Sequence, residues 1–216
     1  MRSVLFDVDG VLVHSLFHDI PERRRRWDRY LLEDTGVDPE AFQTFFGPAF
    51  MEVIEGRVSL VTALEAFLPT VGYHLSPLGF IDYWLARDTH VNLQLMSLVG
   101  RLRASGPVRL YLATNQEHLR AFHLWDKVGL KHHFDDMFYA ARMGVAKPDP
   151  EFFRRVETRI GPQREPPLLF DDSRSVVAAA NEFGWEGVLF SDVEDCAGHS
   201  WIAGRLGTVM AGQTQR

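Results

Sequence analysis

Cysteine is nearly missing: Cys196 is the one thiol in 216 residues. A single thiol cannot close an intramolecular disulfide or build a cysteine-rich zinc site, and it fits a reducing compartment. Long apolar runs are missing too. No stretch approaches the ~20 residues a bilayer-crossing helix needs, so no membrane association is expected. No signal peptide is expected either, because Asp7 interrupts the alternating run Ser3-Val4-Leu5-Phe6 where the apolar segment of a signal would lie. These absences together predict a cytoplasmic protein. There is no basic excess: 23 Lys and Arg stand against 29 Asp and Glu, a formal charge of -6, which excludes a strongly basic nucleic-acid binder. Internal repeats and low-complexity segments are absent as well. What the chain does have is bulk. Hydrophobic residues make up 46%, with 16 Phe and 5 Trp, enough for a globular core and too much for a disordered chain.

Four short apolar runs each end in a polar residue and lead into a helix-like pattern. They are Val4-Leu5-Phe6 before Asp7, Leu110 to Ala113 before Thr114, Leu168-Leu169-Phe170 before Asp171, and Val188-Leu189-Phe190 before Ser191. A weaker fifth is Met137-Phe138-Tyr139. Nearly continuous apolar strands alternating with helices predict an α/β fold, a parallel sheet with helices on both faces. Between the first and second strands the pattern changes. Residues 16–88 show apolar spacing of three to four, as in Leu60-Leu64-Phe67 and Ile81-Trp84-Leu85, and almost no strand pattern. The expected organisation is an α/β core of residues 1–15 and 89–216, with an all-helical domain, 16–88, inserted after the first strand.

Ligands of open parallel sheets bind beyond the carboxyl ends of the strands. Those ends carry Asp7-Val8-Asp9, Thr114-Asn115 and Asp171-Asp172, and a later loop adds Lys147. A calcium loop of the EF-hand type fails, since its fifth, sixth and twelfth positions would hold Val11, Leu12 and His18. Any one of these acids taken alone is equally well a cap or turn residue. Four converging on one sheet edge either raise one another's pKa or recruit a cation, and an all-oxygen set favours Mg²⁺. Four carboxylates against Mg²⁺ and Lys147 leave one negative charge over. A proton on Asp9 would neutralise the site and make Asp9 a candidate general acid, with Asp7 free to act as nucleophile. Thr114 could then hold phosphoryl oxygens while Lys147 offsets their charge.

Phe6-Asp7-Val8-Asp9-Gly10-Val11-Leu12, Ala113-Thr114-Asn115, Lys147-Pro148-Asp149-Pro150 and Phe170-Asp171-Asp172-Ser173 resemble, in order and spacing, the four motifs of the haloacid dehalogenase-like (HAD) hydrolase superfamily. The resemblance implies a Rossmann-like core and, from the helical insert, a cap of subfamily I. It implies Asp7 as nucleophile, Asp9 as acid/base, and Thr114, Asn115 and Lys147 as the phosphate contacts. Magnesium would be held by Asp7, the backbone carbonyl of Asp9 and Asp172, with Asp171 supporting. Haloacid dehalogenases proper lack the second Asp, so Asp9 points to phosphoryl transfer. The stretch from Thr114 to Asp172 most resembles the branch containing the phosphatase domain of soluble epoxide hydrolases and glucose-1-phosphate phosphatases. The implied function is an Mg²⁺-dependent phosphatase acting on a small phosphorylated metabolite, a sugar phosphate among the candidates. Alternatives are a phosphomutase of the same superfamily and a non-catalytic ligand-binding member.

Three further residues are assigned to substrate choice. Glu55 and Arg57 flank Gly56 between two helical patterns, at the position of the specificity loop in related caps. His14 stands where an Asp usually precedes Ser15 in the family. His118, His123, His132 and His133 match no metal-protease pattern. The run Arg23 to Arg26 would circle a helix rather than line one face and reads as part of a solvated, salt-bridged helix, and Cys196 reads as inert.

Overall fold

The computed structural model describes residues 2–15 and 25–213, and of 208–213 the backbone alone. The apolar runs become five parallel strands: β1 (Ser3–Phe6), β2 (Arg109–Thr114), β3 (Asp136–Tyr139), β4 (Leu168–Asp171) and β5 (Glu186–Leu189). Their spatial order is β3-β2-β1-β4-β5. The chain therefore builds outward from β1 on one side and then returns to its other side. That reversal puts the crevice between the carboxyl ends of β1 and β4, where this architecture places ligands.

Side-chain alternation divides the strands between two cores. Val4, Phe6, Leu110, Leu112, Leu168 and Phe170 face one way. They pack on Leu95, Leu98 and Leu102 of α6 (Leu93–Ala104), with Cys196 and Ile202 behind them. Leu5, Tyr111, Ala113 and Leu169 face the other way, against Phe152, Phe153 and Val156 of α9 (Pro150–Ile160) and Val176 and Ala180 of α10 (Arg174–Phe183). Asp149 caps α9 by accepting from the Glu151 N–H, with Pro150 in the first turn. Ser173 stands at the N-cap of α10 without a side-chain capping bond, and left-handed Gly184 ends that helix.

Between β1 and α6 the described residues carry five α-helices: α1 (Leu31–Thr35), α2 (Pro39–Gln43), α3 (Phe50–Ile54), α4 (Leu60–Phe67) and α5 (Pro77–Arg87). These short helices share a core of their own, in which Phe42 contacts Trp27, Phe45, Phe67, Phe80 and Trp84 at ring separations of 4.9–6.2 Å. Helices of five residues do not persist alone; this shared aromatic core holds them. Arg25 and Arg26 precede a turn rather than lying on a helix, and Arg26 pairs with Asp28 at 2.9 Å. The Arg26 guanidinium donates to both oxygens of the buried Asp28 carboxylate rather than to solvent alone. Arg23 and Arg24 lie outside the described residues.

Two connections join this segment to the sheet. Val13 bridges Val91 antiparallel, with Asn92 N–H donating to the Leu12 carbonyl at 2.8 Å, so the exit and return chains run side by side. Farther out, Ile54 and Phe50 pack on Ala140, which opens α8 (Ala140–Met143), and on Ala146. No helix among the described residues is long and apolar enough to cross a membrane.

Candidate active site

Asp7 sits one residue beyond β1, its N–H donating to the Phe170 carbonyl at 2.9 Å, so the β1–β4 ladder runs up to Asp7 itself. Oxygens of Asp7, Asp171 and Asp172 lie within 4.8 Å of one another. Lys147 enters between them, its Nζ 3.1 Å from Asp7 Oδ1, 2.5 Å from Asp171 Oδ2 and 2.7 Å from the Ala113 carbonyl. Burial would lower the Lys147 pKa, but Asp171 and Asp7 outweigh it and hold the ammonium above its ordinary value. Burial pushes the Asp7 carboxyl up to about 8, with Lys147 opposing and Asp171, Asp172 and Asp9 adding repulsion. Burial and Asp171 push Asp172 up to about 6. One ammonium is shared among three carboxylates, too little countercharge for all of them.

The all-oxygen donor set fits a hard divalent cation, and a close backbone contact supports that fit. Gly10 has φ +79°, and a Cβ there would lie 1.9 Å from Asp172 Oδ2. Only glycine lets the loop after β1 close over this carboxylate.

Thr114 is buried at the end of β2. Asn115 pins the neighbouring loop: its Nδ2 donates to the Lys147 carbonyl at 2.9 Å and its Oδ1 accepts from the Lys147 N–H at 2.8 Å. Asp9 faces elsewhere. Arg120 Nη1 and Nη2 donate to its two carboxylate oxygens at 2.6 and 2.8 Å, and Gln116 Nε2 donates at 2.6 Å. Burial raises the Asp9 pKa, but the Arg120 charge and these hydrogen bonds outweigh it and hold the carboxyl below its usual range. Arg120 also reaches Asp88, at 3.2 Å from the carboxylate and 3.2 Å from the carbonyl. Burial brings Asp88 to about 6 despite that partner.

Arg120, Gln116 and Asp88 were not singled out by the sequence. Arg120 and Gln116 follow Thr114-Asn115 within two helical turns, on and just before α7 (His118–Phe122), a position that offers the only sequence signal. Beside Asp9 lies a cavity of about 130 Å³. Trp27, Phe46, Phe50, Ile54 and Trp84 of the helical segment form its apolar wall, and Asp88, Gln116, Glu117 and Arg120 its polar rim. Glu117 is occupied as the cap of α7, accepting from the Leu119 and Arg120 N–H groups.

The three residues assigned to substrate choice sit apart from this cavity's lining. Arg57 is half-exposed and paired with Glu52 and Glu55. Glu55 accepts from the Ala146 N–H at 3.2 Å, next to Lys147, and a Cβ on Gly56 would meet the Ala141 carbonyl at 3.0 Å. His14 lines a different hollow with Arg25 and Asn92.

The comparisons agree with this geometry. A phosphorylated carbohydrates phosphatase of Thermotoga maritima is 32% identical over 87% of this chain and 84% of its own length. A phosphoglycolate phosphatase of Rhodospirillum rubrum is 28% identical over 88% and 79%. A HAD family enzyme of Bacteroides thetaiotaomicron shares the fold with a TM-score of 0.72 at 18% identity, over 92% of this chain and 97% of that one. Its complex with magnesium and inorganic phosphate matches with a TM-score of 0.66 at 20% identity, over 86% and 92%. The family model for haloacid dehalogenase-like hydrolases matches residues 1–184, and the chain belongs to that family of hydrolases.

Proposed function

We propose that the protein is a cytoplasmic Mg²⁺-dependent phosphatase of small phosphorylated metabolites, with residues 16–88 as its cap and 1–15 and 89–216 as its core. The observation that carries this reading is the meeting of Asp7, Asp171, Asp172 and Lys147 at the β1–β4 crevice. Two relatives bear the names of phosphatases.

Asp7, Asp172 and the Asp9 carbonyl would hold the metal, with Asp171 supporting; when bound, it supplies positive charge to the carboxylates and to the phosphoryl oxygens. Lys147 and Thr114 orient the phosphoryl group, and Asn115 fixes the loop that delivers Lys147. An Asp7 oxygen attacks phosphorus, the ester P–O bond breaks, and the leaving oxygen takes a proton from Asp9. Water then attacks the phosphorus of the aspartyl-phosphate while Asp9 takes a proton from it, and the P–O bond to Asp7 breaks, releasing inorganic phosphate and the free Asp7 carboxylate. Arg120 favours the ionised Asp9 this second half requires. A phosphate dianion arriving beside Asp9 raises its pKa and opposes Arg120, which favours the protonated form the first half requires.

Glu55 and Arg57 act on substrate choice indirectly, by seating the cap loop on the Ala146–Lys147 backbone. His14 belongs with the hinge strands rather than the cavity. The test is hydrolysis of a panel of phosphate monoesters by the purified protein, with Mg²⁺ and with chelator. Release of phosphate only with Mg²⁺ is the expected result. No release from any ester, or undiminished release after chelation, contradicts the reading.

A further inference from the structure

The cavity beside Asp9 differs sharply between its two sides, and the difference restricts what can leave. On the cap side are Phe50, Ile54 and Trp84; on the core side Arg120 is the only cation among the described lining residues. We propose, resting on the phosphatase reading, that this cavity receives the leaving group of the substrate. That group is compact and carries no negative charge of its own: an aryl, short alkyl or alkylammonium alcohol rather than a hydroxy acid, a second phosphate or a nucleoside.

Size is the first argument. A cavity of about 150 Å³ lined by apolar side chains holds one benzene ring, and this one measures about 130 Å³. A nucleoside, with roughly three times the heavy atoms of benzene, does not fit within it. Charge is the second. Asp9, Asp88 and Glu117 line the cavity against Arg120, so the described lining is acidic. A carboxylate or phosphate is recognised best by the free two-pronged face of a guanidinium. That face of Arg120 is already taken: Nη1 and Nη2 grip both oxygens of Asp9, and Nη1 also bonds Gln116 Oε1 at 3.0 Å. The remaining Nε is buried out of solvent reach, so Arg120 offers a ligand no second anion-binding face. The aromatic wall suits a hydrocarbon body, or the apolar surface of an alkylammonium group.

The experiment measures kcat/KM with Mg²⁺ for phenyl phosphate, phosphocholine, phosphoglycolate and 3-phosphoglycerate, which share the same transferred group. Phosphocholine, an alkyl ester like both carboxylate esters, should exceed them by at least about tenfold, the scale on which one pocket contact discriminates; phenyl phosphate, whose leaving group is intrinsically better, serves only in the ratio below. A smaller margin, or a preference for either carboxylate ester, overturns the inference and leaves the phosphatase reading standing. Hydrolysis of none of them removes the phosphatase reading, and this inference with it. A second arm uses Phe50→Ala. The ratio of kcat/KM for phenyl phosphate to that for methyl phosphate should fall about tenfold, because only the ring reaches the apolar wall. An unchanged ratio overturns the assignment of this cavity to the leaving group, whatever the variant does to overall activity.

Discussion

Asp7 and Asp9 are two residues apart, yet the fold gives them opposite surroundings. Burial drives Asp7 up to about 8 beside Lys147 and two further acids, while Arg120 and Gln116 hold Asp9 low. Replacing Arg120 by Ala would leave Asp9 and Asp88 facing each other without a cation. Removing one partner of a buried ion pair costs about 3–5 kcal/mol; Asp9 keeps 35% of its side chain exposed, which sets the expected loss at the lower end. Urea unfolding measures it. The same substitution should move the acidic limb of the rate–pH profile upward, since the group holding Asp9 low is gone, and Arg120→Lys should restore part of the shift. A profile unmoved in both variants would separate Asp9 from the proton transfer.

The raised carboxyls of Asp7 and Asp172 make a second prediction. A carboxyl whose pKa is higher folded than unfolded contributes stability at low pH that is lost as pH rises through the folded value. Without metal, these two groups therefore destabilise the protein increasingly through about 6 for Asp172 and about 8 for Asp7. Mg²⁺ binds the deprotonated forms and reverses that loss. Its affinity, and the rise in Tm at a fixed excess, should both be larger at pH 8 than at pH 6. Calorimetric titration at the two pH values checks this, and equal affinities would contradict it.

At the scale of elements, the turn after β1 decides the site. Gly10 closes it: Gly10 N–H donates to the Val13 carbonyl at 2.8 Å, and Val13 N–H to the Val8 carbonyl at 2.7 Å. Gly10→Ala should cost about 1–3 kcal/mol in backbone strain and also weaken Mg²⁺ binding, because the new Cβ displaces Asp172. Gly36→Ala, at φ +76° with no atom within 4 Å of its Cβ, carries the backbone cost alone. Equal Mg²⁺ affinity in the two variants would show that Asp172 yields without consequence.

These elements also show what the sequence could and could not reveal. Strands, their polar ends and the motif order are local, so the β1–β4 crevice and its acids could be read from apolar runs such as Leu168-Leu169-Phe170. Arg120 was invisible because its partner lies 111 residues away and nothing in its neighbourhood marks it as buried. The charge balance drawn from four acids, Lys147 and Mg²⁺ omitted that cation for the same reason. The cavity wall was equally hidden. Periodicity identified Trp84 as a core residue, and it is buried, but no periodicity tells which buried ring borders a void.

At the scale of the whole molecule, the helical segment touches the sheet close to the chemistry at both of its sides. Arg120 ties Asp9 to Asp88 where α5 ends, and Glu55 holds the Ala146 N–H beside Lys147. Glu55→Ala removes the second tie and leaves Arg57 with Glu52 alone. KM should rise several-fold for every ester, phenyl and methyl phosphate alike, with little change in kcat. A selective loss on one ester would instead make Glu55 a direct substrate contact.

All of this rests on Asp7 as the group that attacks phosphorus. The most direct measurement compares phosphate release from phenyl phosphate by the wild-type protein and by Asp7→Asn, each with saturating Mg²⁺ and each with excess chelator. Release by the wild type with Mg²⁺ and by none of the other three is the predicted result. Hydrolysis by Asp7→Asn at a rate near that of the wild type would contradict it.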